Sequence, residues 1–169
     1  LSLKIGGKSH KLTGGGGDMV AGGPPPGKAG WQIEIAPLDA TDAPPAQSGF
    51  LRRRALETSG DVYQRFEFGG RRYSHIVNPH TGIGLTDHSL VTVIARDGMA
   101  ADALSTAVSV LGPDAGIGLI DRERGAAAHV VREVDGVLER RVSRRFRAGR
   151  IRGEMRLRRS PSLVESAPL

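Results

Sequence analysis

Apolar and polar residues alternate along Trp31-Gln32-Ile33-Glu34-Ile35, a period of two that predicts a strand with one buried face. Ser89 to Ala95, SLVTVIA, is apolar almost throughout and predicts a buried strand. It feeds directly into DGMAADALSTAVSVLG, residues 97 to 112, where Leu104, Val108 and Leu111 recur at helical spacing. Gly112-Pro113 stops that helix, and Pro113 suits the first turn of a second one over about residues 114 to 122.

Two stretches read as hairpins. The first runs from Val62 to Phe68, turns at Gly69-Gly70 and returns from Arg71 to Val77. The second runs from Val130 to Val134, turns at Asp135-Gly136 and returns from Val137 to Val142. Between the elements, Gly14 to Gly17, residues 22 to 27 and the proline-bearing stretch from 37 to 49 read as loops, and Glu57 to Asp61 as a turn-like cluster. Hairpins interrupted by two helices imply an α+β fold with an antiparallel sheet, not a doubly wound one. No repeat of 20 to 50 residues is present.

Composition narrows this picture. A length of 169 residues suits one domain, and 38% hydrophobic with 25% charged residues is ordinary for a soluble globular chain. The absence of cysteine excludes disulfide staples and thiolate metal sites. No apolar run reaches 18 residues, so no helical membrane span is expected. The chain opens Leu-Ser-Leu-Lys, without an initiator Met or a signal segment, which implies a processed start or a fragment.

Charge is unevenly spread. Arg140 to Arg159 holds ten arginines against one glutamate, a net of +9 within a whole-chain +6, which leaves the other 149 residues at about −3. The basic character therefore belongs to the end of the chain. The division expected is a domain over residues 1 to 146 and a basic, disordered tail over 147 to 169. Nucleic-acid binding through that arginine-rich segment is one alternative function, although aromatics at 4% offer little for base stacking and no specific nucleic acid is expected.

Four clusters could carry chemistry. Asp102 and Thr106 are four apart on the first helix, so a carboxylate and a hydroxyl stack on one face, the hard oxygen donors that Mg²⁺ prefers. The same spacing also suits a carboxylate with a local partner and hydroxyls that bond back to helix carbonyls. His75, in Tyr73-Ser74-His75-Ile76-Val77-Asn78-Pro79, precedes a turn, where an imidazole can bind phosphate, move a proton or serve structurally. Gly14 to Asp18 permits close backbone approach to a ligand but lacks the Lys-Ser/Thr ending of a nucleotide-hydrolase phosphate loop. Ser59-Gly60-Asp61, taken alone, is a turn signal.

In order, Gly16-Gly17-Asp18, Thr58-Ser59-Gly60-Asp61, Tyr73 to Pro79 with Thr81-Gly82, and Ala101-Asp102-Ala103-Leu104-Ser105-Thr106-Ala107 continuing to Pro113 resemble the motifs of the ApbE family, the FAD:protein FMN transferases. The resemblance covers about residues 12 to 146. The segment that the family carries ahead of its Gly-Gly-Asp has no counterpart in this sequence, so the chain looks like the C-terminal half of the family fold.

The resemblance implies Mg²⁺-dependent transfer of FMN from FAD to a threonine hydroxyl of an acceptor flavoprotein, with release of AMP. Carried over by position, it implies Asp102 and Thr106 as metal ligands and His75 as a catalytic group. It implies a flavin-nucleotide site drawing on Gly17, Asp18, Ser59, Gly60, Asp61, His75 and Ile76. A degenerate homologue that binds flavin without catalysis is the other alternative. The resemblance also suggests a bacterial protein acting on the cell-envelope or periplasmic side.

Overall fold

The structure, a computed structural model, describes residues 11–13, 18–35, 37–38, 47–61, 65–151 and 154–158. In chain order its elements are β1 (Lys11–Thr13), β2 (Met19–Ala21), β3 (Trp31–Ile35), β4 (Gln47–Leu51), β5 (Arg54–Gly60), β6 (Arg65–Phe68), β7 (Arg71–Ser74) and β8 (Ser89–Ala95). There follow α1 (Gly98–Leu111), α2 (Pro113–Arg122), β9 (Ala127–Val134), β10 (Val137–Val142), α3 (Arg144–Arg147), β11 (Arg150–Ile151) and β12 (Met155–Arg158). Every strand pair is antiparallel, as the hairpin-rich pattern requires.

Among the described residues the strands form three sheets. The largest has the order β1-β2-β5-β8-β9-β10, the second β11-β12-β4-β3, and β6 and β7 pair with each other alone. The six-stranded sheet is the middle layer, because alternate side chains of each strand enter different cores. Leu56, Ile94 and Ala127 pack with Ile33, Leu51, Phe146 and Met155 toward the second sheet. Ala55, Val91, Val93, Ala128 and Val130 pack with Ala101, Val108 and Ile120 toward the helices. The unbroken apolar run of β8 follows from this burial on both faces.

Local signals place the helices. Asp97 caps α1, its carboxylate accepting from the Ala100 N–H at 2.8 Å and so satisfying one of the donors a helix start leaves open. Gly112, at φ 78, ends α1 in a conformation that a side chain disfavours, and Pro113 opens α2. The buried residues of α1 are Ala101, Ser105 and Val108, whereas Leu111, expected in the apolar stripe, is 52% exposed. Both expected hairpin turns form with two left-handed residues each, at Gly69-Gly70 and at Asp135-Gly136. The strands of the first hairpin are shorter than expected, ending at Ser74, and residues 62–64 lie outside the described residues.

Three expectations change. Glu57 to Gly60 belong to β5, not to a turn, and only Asp61 lies beyond the strand. Gly60 is there because β5 and β8 approach closely, and a Cβ at that position would collide with the Ser89 carbonyl oxygen. Part of the expected 37–49 loop is strand, since Gln47–Leu51 is β4.

The tail boundary at residue 147 also moves. Residues 150–151 and 155–158 form β11 and β12, and β12 pairs with β4 from Met155–Leu51 to Arg158–Ser48. Ile151 and Met155 are buried in the core, so apolar residues spaced among arginines give this stretch a strand face to bury. Among the described residues no helix is long and apolar enough to cross a membrane.

Candidate functional site

The register of β2 on β5 creates the site. Met19 stands opposite Leu56 and Val20 opposite Ala55, so the next pair along the two chains is Asp18 and Glu57. Along β5 the side chains alternate, with Leu56 entering the core beneath and Ala55 packing toward α1. Glu57 and Ser59 share the Ala55 side and therefore face the helix.

On that side lies a cavity of about 330 Å³ lined by Asp18, Met19, Val20, Leu56, Glu57, Gly98 and Asp102. Three carboxylates thus border one pocket. Burial pushes the Glu57 carboxyl up to about 8, reinforced by its hydrogen bond with Asp18 and by the negative charges of Asp18 and Asp102. Two carboxylates bonded to each other need a proton between them, and Glu57 is the group that keeps it at neutral pH.

α1 is fixed against β5 by hydroxyls. Ser105 Oγ donates to the Asp102 carbonyl at 2.9 Å, and Ser59 Oγ lies 2.8 Å from Ser105 Oγ. A serine hydroxyl has one proton, so Ser105 is the acceptor toward Ser59 and the chain of bonds runs Ser59 to Ser105 to Asp102. Both serines are buried. Asp102 and Thr106 remain exposed one turn apart on α1.

These donors suit a hard divalent cation. Among the described residues no group of three or more His, Cys, Asp or Glu is gathered to hold a metal by itself. The donor chemistry fits a Mg²⁺ ion that takes one or two protein oxygens and completes its octahedron with phosphate and water.

The remaining sequence candidates sit elsewhere. Asp61, directly after β5, is 1% exposed and paired with Arg72 and His88. His75 follows β7 and is exposed, while Ile76 is buried and its N–H donates to Ser74 Oγ at 3.1 Å. Neither His75 nor Ile76 lines the carboxylate pocket. Gly17 lies outside the described residues.

Sequence reading missed Glu57, Arg72 and His88. A period-two reading of Ala55-Glu57-Ser59 would have found the first, because it puts Glu57 on the same face as Ser59.

The first part of the arginine-rich segment is occupied with the fold. Arg145 Nη1 donates to the carbonyls of Ile120, Glu123 and Ala126 at 3.4, 3.0 and 3.3 Å, closing the end of α2. Arg140 donates to His129 and Gln47, Arg141 pairs with Asp114 and Arg144 with Asp121. Charge engaged in this way stitches α2, β9 and β10 together.

The sequence model of the ApbE family matches residues 2–130. The FAD:protein FMN transferase of Klebsiella pneumoniae is 34% identical over 134 residues, covering 77% of this chain and 37% of that protein. The protein of the same name from Escherichia coli K12 is 34% identical over 108 residues, covering 62% of this chain and 30% of its own length. The crystal structure of the Pseudomonas stutzeri flavinyl transferase ApbE in its apo form superposes with a TM-score of 0.65 at 34% identity, over 83% of this chain and 43% of that one. The ApbE protein of Thermotoga maritima gives 0.64 at 36% identity, over 79% and 42%. The chain spans about a third of the length of the curated relatives it matches.

Proposed function

Because the chain belongs to the ApbE family, we propose that it carries the metal- and pyrophosphate-binding portion of an FAD:protein FMN transferase. The observation that carries this reading is the pairing of Asp102 and Thr106 on the open face of α1, beside a pocket that Asp18 and Glu57 also border. In the proposed reaction a threonine oxygen of an acceptor flavoprotein bonds to the FMN phosphorus of FAD. The bond to the AMP oxygen breaks, and AMP leaves.

Asp102 and Thr106 would hold Mg²⁺, which when bound supplies charge neutralisation at the pyrophosphate, the main requirement of phosphoryl transfer. Ser59 and Ser105 set the height of the helix turn that presents both ligands. Glu57, by keeping its proton, limits the negative charge that faces an incoming pyrophosphate. His75, exposed beside the turn that follows β7, takes the threonine proton as the new bond forms.

The test mixes the protein with FAD, Mg²⁺ and an acceptor flavoprotein. AMP is followed by chromatography and covalent flavin by in-gel fluorescence. Both should appear together and require Mg²⁺, and Asp102→Ala should lower them by about 10- to 100-fold or more, the usual effect of disturbing a metal site. Transfer that is unchanged in Asp102→Ala overturns the metal assignment. FAD binding with no AMP released would instead support the non-catalytic alternative.

A further inference from the structure

We propose that Asp61 is a positioning residue that acts on His75 through Arg72, and does not itself meet the flavin nucleotide. The carboxylate is 1% exposed and both its oxygens are engaged inside the protein. Oδ2 accepts from Arg72 Nη1 at 3.1 Å, and Oδ1 accepts from the Ser89 N–H at 3.2 Å. His88 Nδ1 lies 2.8 Å from Oδ1 and 2.6 Å from Arg72 Nη1. In one tautomer that nitrogen donates to Asp61, and in the other it accepts from Arg72. Either way three segments converge on one buried negative charge: the residue after β5, the second residue of β7 and the entry to β8.

The convergence matters because the β6–β7 hairpin forms a sheet of its own. Among the described residues no ladder of backbone bonds joins it to either larger sheet, so its seat on the body draws on side chains such as Arg72. From Arg72 the chain reaches His75 in three residues, and the residues on either side of His75 are tied down. The Ser74 N–H donates to the Leu85 carbonyl at 2.7 Å, and the Leu85 N–H donates to the Ile76 carbonyl at 2.8 Å. Those bonds orient the short His75 segment relative to β7 and residue 85. The Asp61–Arg72 pair sets where β7 itself sits relative to β5 and the carboxylate pocket. A buried charge of this kind holds its partners firmly, because removing one leaves the other uncompensated.

The inference rests on the reading of His75 as the group that receives the threonine proton, and its test separates the two. Hydrogen exchange by mass spectrometry is measured on the 169-residue chain for wild type, Asp61→Asn, Arg72→Gln and Arg72→Lys. FMN-transfer kinetics are measured with FAD, Mg²⁺ and an acceptor flavoprotein.

Asp61→Asn and Arg72→Gln should each raise exchange over residues 71–85 by about tenfold or more while α1 and residues 91–95 keep their protection. Transfer kcat should fall by about tenfold or more with the KM for FAD within about twofold, the split expected of a group that aims another. Arg72→Lys, which keeps the charge, should recover much of both. Unchanged exchange over 71–85, faster exchange everywhere, or a KM for FAD that rises with exchange unaltered overturns the proposal. Should the wild-type chain transfer no FMN, the function fails and the exchange measurement still decides whether Asp61 anchors the hairpin.

Discussion

Asp18 and Glu57 face each other across the β2–β5 ladder, two acids in a position where like charges oppose folding unless one is neutral. Burial and the Asp18 hydrogen bond resolve the conflict by protonating Glu57.

Stability should therefore fall as pH rises through the neutral range. The Glu57 carboxyl is raised from 4.5 to about 8, so its contribution is complete below about pH 4.5 and is lost as pH climbs through about 8. Glu57→Gln keeps a hydrogen-bonding side chain without the titration and should be the more stable protein at pH 8. Urea unfolding of both proteins from pH 5 to 9 checks this, and parallel curves would refute it.

An opposite dependence should appear on the acid side. His129 is 2% exposed, stacks on Phe146 with centroids 5.1 Å apart and accepts from Arg140 Nε at 2.8 Å. Burial, then the Arg140 charge, pushes its imidazole from 6.5 down to about 3. Its contribution is complete above about pH 6.5 and is lost as pH falls toward 3, on the order of a few kcal/mol in all. His129→Gln should lose part of the ring packing, about 1 kcal/mol, yet show a flatter acid limb. An acid limb as steep as that of wild type would exclude His129 as its source.

Ser105→Ala should cost more than Ser59→Ala. Removing Ser105 leaves the buried Ser59 hydroxyl without its acceptor, a loss of about 1–3 kcal/mol, whereas removing Ser59 leaves Ser105 still bonded to the Asp102 carbonyl. The double variant should cost less than the sum of the singles, because the pair acts as a unit. Thermal unfolding of the four proteins decides the order.

Arg145→Gln should destabilise the chain by about 1–3 kcal/mol, since one guanidinium closes three carbonyls at the end of α2. A loss of nucleic-acid affinity with no loss of stability would point instead to a surface role for that arginine.

How much of this was legible in the sequence depends on range. β8, α1 and both hairpin turns follow from signals within a few residues, and each forms where its pattern placed it. Glu57 to Gly60 failed because a glycine beside Ser and Asp imitates a turn. The glycine is there to let β8 approach, a reason invisible until β8 is in place. Likewise the proton on Glu57 arises from burial in the fold and from a strand partner 39 positions away, which no local pattern encodes. Within the expected tail of 147–169, the arginines hid Ile151, Met155 and Leu157, which give residues 150–151 and 155–158 a strand face, while residues 159–169 lie outside the described residues.

The second sheet carries one more consequence, for synthesis. β12 lies between β11 and β4, and its Met155 closes on Leu51 more than 100 residues upstream. The core beneath the central sheet therefore stays open until residue 158 has cleared the ribosome. Such long-range pairing slows folding and lengthens the exposure of apolar surface, so nascent chains that stall before residue 155 should be the ones chaperones hold.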